Sequence, residues 1–301
     1  MNTTLSSIPR VSRVSLSQDD LLKSKTKIVA HVSHILGAKV AKIKLANELS
    51  NTMLEPTRAS LQHSQDRASQ ISQLRAMNNA AAKYPKLKGH KYTNDLSAIV
   101  QIFRGIQPGL TILTPFWDTS WYIPNDDRQF VNSETDANDS MGVICHGSND
   151  SASGFAASGY GVFISSVVQR PVSIRPYVPC DFSYSFWSLL YNSNSRGGYG
   201  MLIYDGNGNI VPNSHQEPEI WNRTSLNDSY THIEGSDYLQ FHLANGEFAF
   251  TMNAGETYQL WLWVWGHGDC SGIVFTDIFG NDYGSYCDFY LTASIPFIVI
   301  Q

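Results

Sequence analysis

The stretch Thr257-Tyr-Gln-Leu-Trp-Leu-Trp-Val-Trp-Gly266 constrains the fold more than any other part of the chain. Read as a strand, it sends successive side chains to opposite faces, so Tyr258, Leu260, Leu262 and Val264 line one side and Gln259, Trp261, Trp263 and Trp265 the other. Both faces are apolar, as in a strand covered on both sides. A ladder of three indoles is either sandwich interior or a platform on which flat ligands such as sugar rings stack. The interior reading is favoured, because contiguous exposed aromatic patches are uncommon on soluble monomers. One cover is then an opposing sheet. The other is the amino-terminal helices, which makes Trp261, Trp263 and Trp265 a docking seat.

From Leu110 the chain keeps to this grammar of alternating β-branched and aromatic runs, broken by Gly, Asn, Ser and Pro. Candidate strands cover residues 160–169, 172–178, 182–191, 198–205, 238–243, 247–252, 257–266 and 285–295. Asp205-Gly-Asn-Gly-Asn209 and Ala244-Asn-Gly-Glu247 supply hairpin turns, since Asn-Gly accepts positive φ. The polar passage from Pro124 to Ser153 reads as surface loops. Many short strands without helical crossovers indicate two packed antiparallel sheets.

The amino-terminal part follows a different pattern. Residues 1–92 hold 15 Lys and Arg against five acids, a net charge of +10, whereas residues 93–301 hold six Arg against 21 acids, a net charge of −15. All ten lysines lie at or before Lys91. Ser17 can cap a helix with Asp19 and Asp20 in its first turn, and Leu22, Val29, Val32, Leu36, Val40 and Ile43 recur at helical spacing. The spacing predicts a helix over 18–54, ended by Glu55-Pro56. A second helix is expected over 58–82, then a basic linker over 84–92 and a short helix over 95–104. The fold class expected is therefore α+β in two parts. Residues 1–92 form a basic helical hairpin, and residues 93–301 an acidic, antiparallel, jelly-roll-like β-sandwich opening with the short helix.

No apolar stretch at the amino terminus has the length of a secretory signal, and no 18-residue apolar run occurs. Synthesis in the cytoplasm with release by a non-classical route is the corresponding expectation. The four cysteines, Cys145, Cys180, Cys270 and Cys287, contain no CxxC pair, so a structural zinc site is not indicated. Cys270 and Cys287 are placed to bridge a hairpin, with buried thiols as the alternative.

Few motifs carry chemistry. Asp205, Asn207 and Asn209 match the first ligands of a calcium loop, but Ile210 and Gln216 stand where the glycine and the bidentate glutamate belong. No nucleophile elbow, phosphate loop or dinucleotide fingerprint is present, and no metal or cofactor is expected. His146 beside Cys145, and His267 near Asp269 and Cys270, sketch a hydrolytic pair at most. His31 and His34, three apart on the first helix, could bind metal or sense pH, but two surface histidines are the favoured reading.

Binding offers more. Trp117, Trp121, Trp187, Tyr204 and Trp221 lie near polar turns, and aromatic rings beside amides and carboxylates are what a saccharide site uses. Lys23, Lys27, Lys39, Lys42 and Lys44 flank the apolar stripe of the first helix, a pattern suited to an anionic membrane or, less well, to nucleic acid. The expected function is a non-enzymatic binding protein. Its sandwich would recognise a glycan or other cell-surface ligand, and its basic helices would form a homo-oligomer or engage a membrane or partner. In outline a helical hairpin on a sandwich resembles several bacterial toxins and attachment proteins, with no motif that ties it to a family. The alternatives are a coat protein with a nucleic-acid-facing helical arm and a hydrolase using His146 or His267.

Overall fold

A computed structural model describes residues 11–61, 111–113, 117–123, 131–135, 140–145, 152–187, 192–226, 231–238, 248–270, 275–276, 282–283 and 286–301. These residues are mostly antiparallel strand, with one helix near the amino terminus.

The indole strand, β13 (Thr257–Cys270), is the centre of one sheet. It pairs on one side with β6 (Ala152–Ser166) and on the other with β9 (Asn192–Tyr204), and β10 (Glu219–Leu226) follows β9. The far edge of β6 carries two short strands, β1 (Val11–Arg13) and β3 (Thr119–Ile123). The opposing layer has two parts. One runs β11-β8-β16-β5-β4, from Thr231–Tyr238, Pro179–Trp187, Tyr286–Ser294, Ser140–Cys145 and Val131–Thr135. The other runs β12-β7-β17-β2, from Phe248–Met252, Arg170–Tyr177, Phe297–Ile300 and Thr111–Leu113. Because β7 leads into β8 and β16 into β17 with paired neighbours throughout, the two parts act as one bent layer.

The period-2 pattern decides where each side chain goes. Tyr258, Leu260, Leu262 and Val264 of β13 join Tyr160, Val162, Met201 and Ile203 in a core shared with Val143, Tyr184, Phe289, Leu291, Ile174 and Ile298 of the opposing layer. Burying each such side chain contributes about 1.5–3 kcal/mol, which makes this core the main source of stability.

The helix α1 (Gln18–Leu61) starts where its cap is placed. Ser17 Oγ accepts from the Asp20 amide at 3.2 Å and donates to the Asp20 carboxylate at 2.7 Å, with Asp19 and Asp20 in the first turn. It does not stop at Leu54. Helical backbone continues through Pro56 to Leu61, because proline removes one hydrogen bond while its fixed φ is itself helical. A turn between two helices at residues 55–57 is thus replaced by continuous helix. The remainder of the expected second helix, the linker at 84–92 and the helix at 95–104 lie outside the described residues.

One further expectation changes. The passage 124–153, read as loops, contains β4, β5 and the start of β6. Strand β4 (Val-Asn-Ser-Glu-Thr) is polar because it pairs only with β5 at the sheet edge, and β5 hides Met141, Val143 and Cys145 in an otherwise polar neighbourhood. Ahead of the helix cap, residues 11–13 form β1, with Val11 buried.

Candidate functional site

The sandwich has two outward faces, and they differ in what covers them. On the β13 sheet, Trp261, Trp263 and Trp265 are at most 1% exposed and form one apolar cluster with Trp121, Phe163, Leu202 and Tyr204. Ile28, Val32 and Leu36 of α1 belong to the same cluster, four residues apart along the helix. The helix therefore lies on the indole face. Phe163 meets Trp261 edge-on at 5.9 Å and 88°, and Trp121 meets Trp263 at 6.2 Å.

The indoles fit because their neighbours lack side chains. Register places Gly161 beside Trp261, Gly159 and Gly200 on either side of Trp263, and Gly198 beside Trp265. A Cβ at Gly198 would stand 2.8 Å from the Trp265 ring. These glycines were not singled out in the sequence. Their signal was there: glycines at alternate positions, 159 and 161 in one strand and 198 and 200 in another, spaced to match the tryptophans.

The residues expected to bind ligand are mostly walls of the core. Trp221 stacks on Phe182 and Tyr184 at 5.7 and 5.3 Å, and its indole N–H donates to Ser195 Oγ at 2.9 Å. Trp121 and Tyr204 are sealed under α1, and Trp117 lies under the Arg13 guanidinium, 5.6 Å from the ring centroid. Four of the five expected platform residues are thus buried and offer no stacking surface. The side chain of Trp187 lies outside the description.

The lysines divide as well. Lys39 reaches Glu217 at 3.0 Å and sits 4.3 Å over the Trp265 ring, while Lys27 donates to the Gly208 carbonyl and lies 4.2 Å over Tyr204. Both are committed to the sandwich. Lys23 pairs loosely with Asp20 at 3.7 Å, and Lys42 and Lys44 are exposed. Beyond the sheet the helix also exposes Leu45, Leu49 and Met53.

Of the catalytic candidates, His146 lies outside the described residues. His267 is 2% exposed, next in line after Trp265, and faces Arg196 across the register. Burial, with Arg196 and Lys44 adding to it, pushes its pKa down to about 3. Its ring is neutral at every ordinary pH, and neither nitrogen finds a hydrogen-bond partner among the described residues. A base shut away like this has no access to substrate. Asp205 closes its turn instead of holding calcium: it accepts from the Asn209 amide at 2.7 Å, and Gly208 takes φ +80°. Among the described residues no cluster of three metal-binding side chains forms. Cys287 is a buried thiol rather than half of a bridge to Cys270, its Sγ 3.5 Å from the Asn194 carbonyl.

The second outward face belongs to β8 and β16. Since Cys180 and Tyr184 point inward with Cys287, Phe289, Leu291 and Ala293, the outward positions are Asp181, Ser183 and Ser185 opposite Thr292, Tyr290 and Asp288. Strand β11 extends the sheet beyond β8, and β5 adds Ile144 beside Tyr290. Ser183 and Ser185 are 2% exposed and Asp288 is 8%, while Asp181, Tyr290 and Thr292 remain part-exposed. Short hydroxyl side chains thus floor a face whose accessible groups are a phenol, a carboxylate and a hydroxyl. Helix α1 packs against β3, β6 and β9, not here.

No family model and no curated protein matches the chain. Among solved structures, a carbohydrate-binding module in complex with beta-1,4-galactotriose is 12% identical with a TM-score of 0.18, over 58% of this chain and 88% of that one. A structure of carbohydrate-binding modules from the β-sandwich superfamily is 9% identical with a TM-score of 0.15, over 70% of this chain and 63% of that one. A CocE/NonD family hydrolase from Staphylococcus aureus is 10% identical with a TM-score of 0.18, over 60% of this chain and 36% of that one. Likeness at this level assigns no family and carries no argument about activity. No described helix is long and apolar enough to cross a membrane.

Proposed function

We propose that this is a non-enzymatic binding protein built on a jelly-roll-like sandwich, and that its ligand face is the outward face of β11-β8-β16-β5-β4. The observation that carries the reading is the asymmetry of the two faces: α1 occupies the indole face, whereas the Tyr290 face is polar, with Asp181, Tyr290 and Thr292 part-exposed. Its chemistry suits a polyhydroxylated ligand of the glycan class. The phenol ring of Tyr290 supplies a surface for the CH face of a sugar, and the part-exposed carboxylate of Asp181 accepts hydrogen bonds from hydroxyls.

The test is a glycan array probed with the full chain, followed by titration of the best hit. Tyr290→Ala is expected to weaken binding at least tenfold and Asp181→Asn several-fold, while Tyr290→Phe keeps the stacking and most of the affinity. Absence of binding to any glycan, or unchanged affinity in Tyr290→Ala, overturns the reading.

A further inference from the structure

The seam between α1 and the sheet contains two facing histidines. The His31 ring meets the His215 ring at 5.3 Å and 79°, and His215 in turn stacks on Trp263 at 6.3 Å and 19°. His31 also touches the edge of Tyr204 at 6.3 Å. One ring comes from the buried stripe of the helix and the other from the β9–β10 connection, so the pair bridges the docked elements.

The charges around this pair are mostly positive. His31 has Lys27 and His34 beside it on its own helix and His215 across from it. His215 has Lys39 on the helix side and Glu217 on its own segment, and the Glu217 carboxylate is already joined to Lys39 at 3.0 Å. Burial holds both histidines below their ordinary value of 6.5; on His31 the facing His215, His34 and Lys27 add to it, whereas on His215 Glu217 opposes it more than Lys39 adds.

The seam is also poorly satisfied. The indole nitrogens of Trp121, Trp261, Trp263 and Trp265, His31 Nε2 and both amide atoms of Gln216 are buried without a hydrogen-bond partner among the described residues. Each such atom opposes docking, since separation would let water reach it. Apolar burial by Ile28, Val32 and Leu36 therefore holds the helix against a standing polar cost.

We propose that the His31–His215 pair is an acid-sensitive latch: the neutral rings keep α1 on the indole face, and protonating them releases the helix and uncovers the tryptophans. Two added charges would face each other and the lysines where the part-buried His31 meets His215 at the exposed rim of the seam. The sign follows from linkage. A histidine held below its ordinary value stabilises docking fully above about pH 6.5, and that contribution falls as pH drops through its depressed value. With two protons taken up on release, the docking equilibrium shifts up to about a hundredfold per pH unit. The latch acts on the face opposite the Tyr290 face.

The experiment follows tryptophan emission of the intact chain from pH 7.5 to 4.5, with far-UV circular dichroism to record whether the strands persist. The expected result is a reversible red shift with its midpoint below pH 6.5 while the β signal is retained. In His31→Gln/His215→Gln the shift is expected to vanish. Should that double variant fail to fold, the single exposed-side change His215→Asn is expected to move the midpoint lower and make the transition less steep. Emission that is flat across the range overturns the latch, as does a red shift that survives in the double variant. Tighter docking in acid, from His215 pairing with Glu217, overturns it too.

Discussion

Gly200 lies directly across from Trp263, and a methyl group in place of its hydrogen would overlap Cε2 and Cζ2 of the indole. The tryptophan ladder and the glycines on its flanks are one packing unit. The rings lie over strand positions that carry no side chain.

The first prediction tests that unit. Gly200→Ala is expected to destabilise the fold by about 1–3 kcal/mol, the usual cost of overpacking. Gly37→Ala, in α1 with nothing within 4 Å of the added carbon, is expected to gain about 0.5–1 kcal/mol from helix propensity. Urea denaturation followed by indole emission measures both, and opposite signs are the expected outcome.

The Lys39–Glu217 pair supports the second. The Glu217 side chain is 7% exposed, so removing its partner leaves a carboxylate with poor hydration. Lys39→Met is expected to cost about 1–3 kcal/mol, an effect of leaving a buried charged group unpaired. The double change Lys39→Met/Glu217→Gln should recover most of it. A chemical-denaturation cycle on the four proteins reads the coupling.

His267 sets a separate pH dependence. Its folded pKa of about 3 lies below the ordinary 6.5, so the stability of the neutral ring is complete above 6.5 and declines as pH falls toward 3. Between pH 6.5 and 5 the global stability should drop by about 2 kcal/mol from this group. His267→Leu removes two unsatisfied nitrogens and the titration together, and is expected to flatten that slope. Thermal melts at several pH values, followed by the β signal, provide the check, and they separate this effect from helix release.

How much of this was legible in the sequence depended on whether local pattern or register carried the information. The alternation from Tyr258 to Trp265 placed each side chain on a face without reference to the rest of the chain, and strand positions at 257–266 and 285–295 followed from similar runs. Strand β4 left no such trace, because an edge strand with one partner needs little apolar surface. The Tyr290 face was invisible for another reason. Asp181, Ser183, Tyr290 and Asp288 are separated by about a hundred residues, and only the β8–β16 register brings them together. Glycan chemistry was sought at the tryptophans, yet Trp221 and Trp121 lie in the core, where these large indoles fill volume.

The last prediction concerns α1 as a cover. Removing residues 1–61 deletes Ile28, Val32 and Leu36 and also the edge strand at Val11–Arg13, leaving Trp121, Trp261, Trp263 and Trp265 without an outer layer. Four adjacent indoles far exceed the apolar patch a monomer ordinarily exposes. A chain starting near Lys88, which lacks the same elements, should aggregate or associate through this face, with red-shifted emission. The single change Leu36→Ala keeps the cover but weakens it by about 2–5 kcal/mol. It should raise protease sensitivity within residues 18–43 while leaving the strands resistant. Sizing by light scattering and timed proteolysis separate the outcomes: a monodisperse 88–301 chain with blue emission would mean that the indole face is stable without its helix.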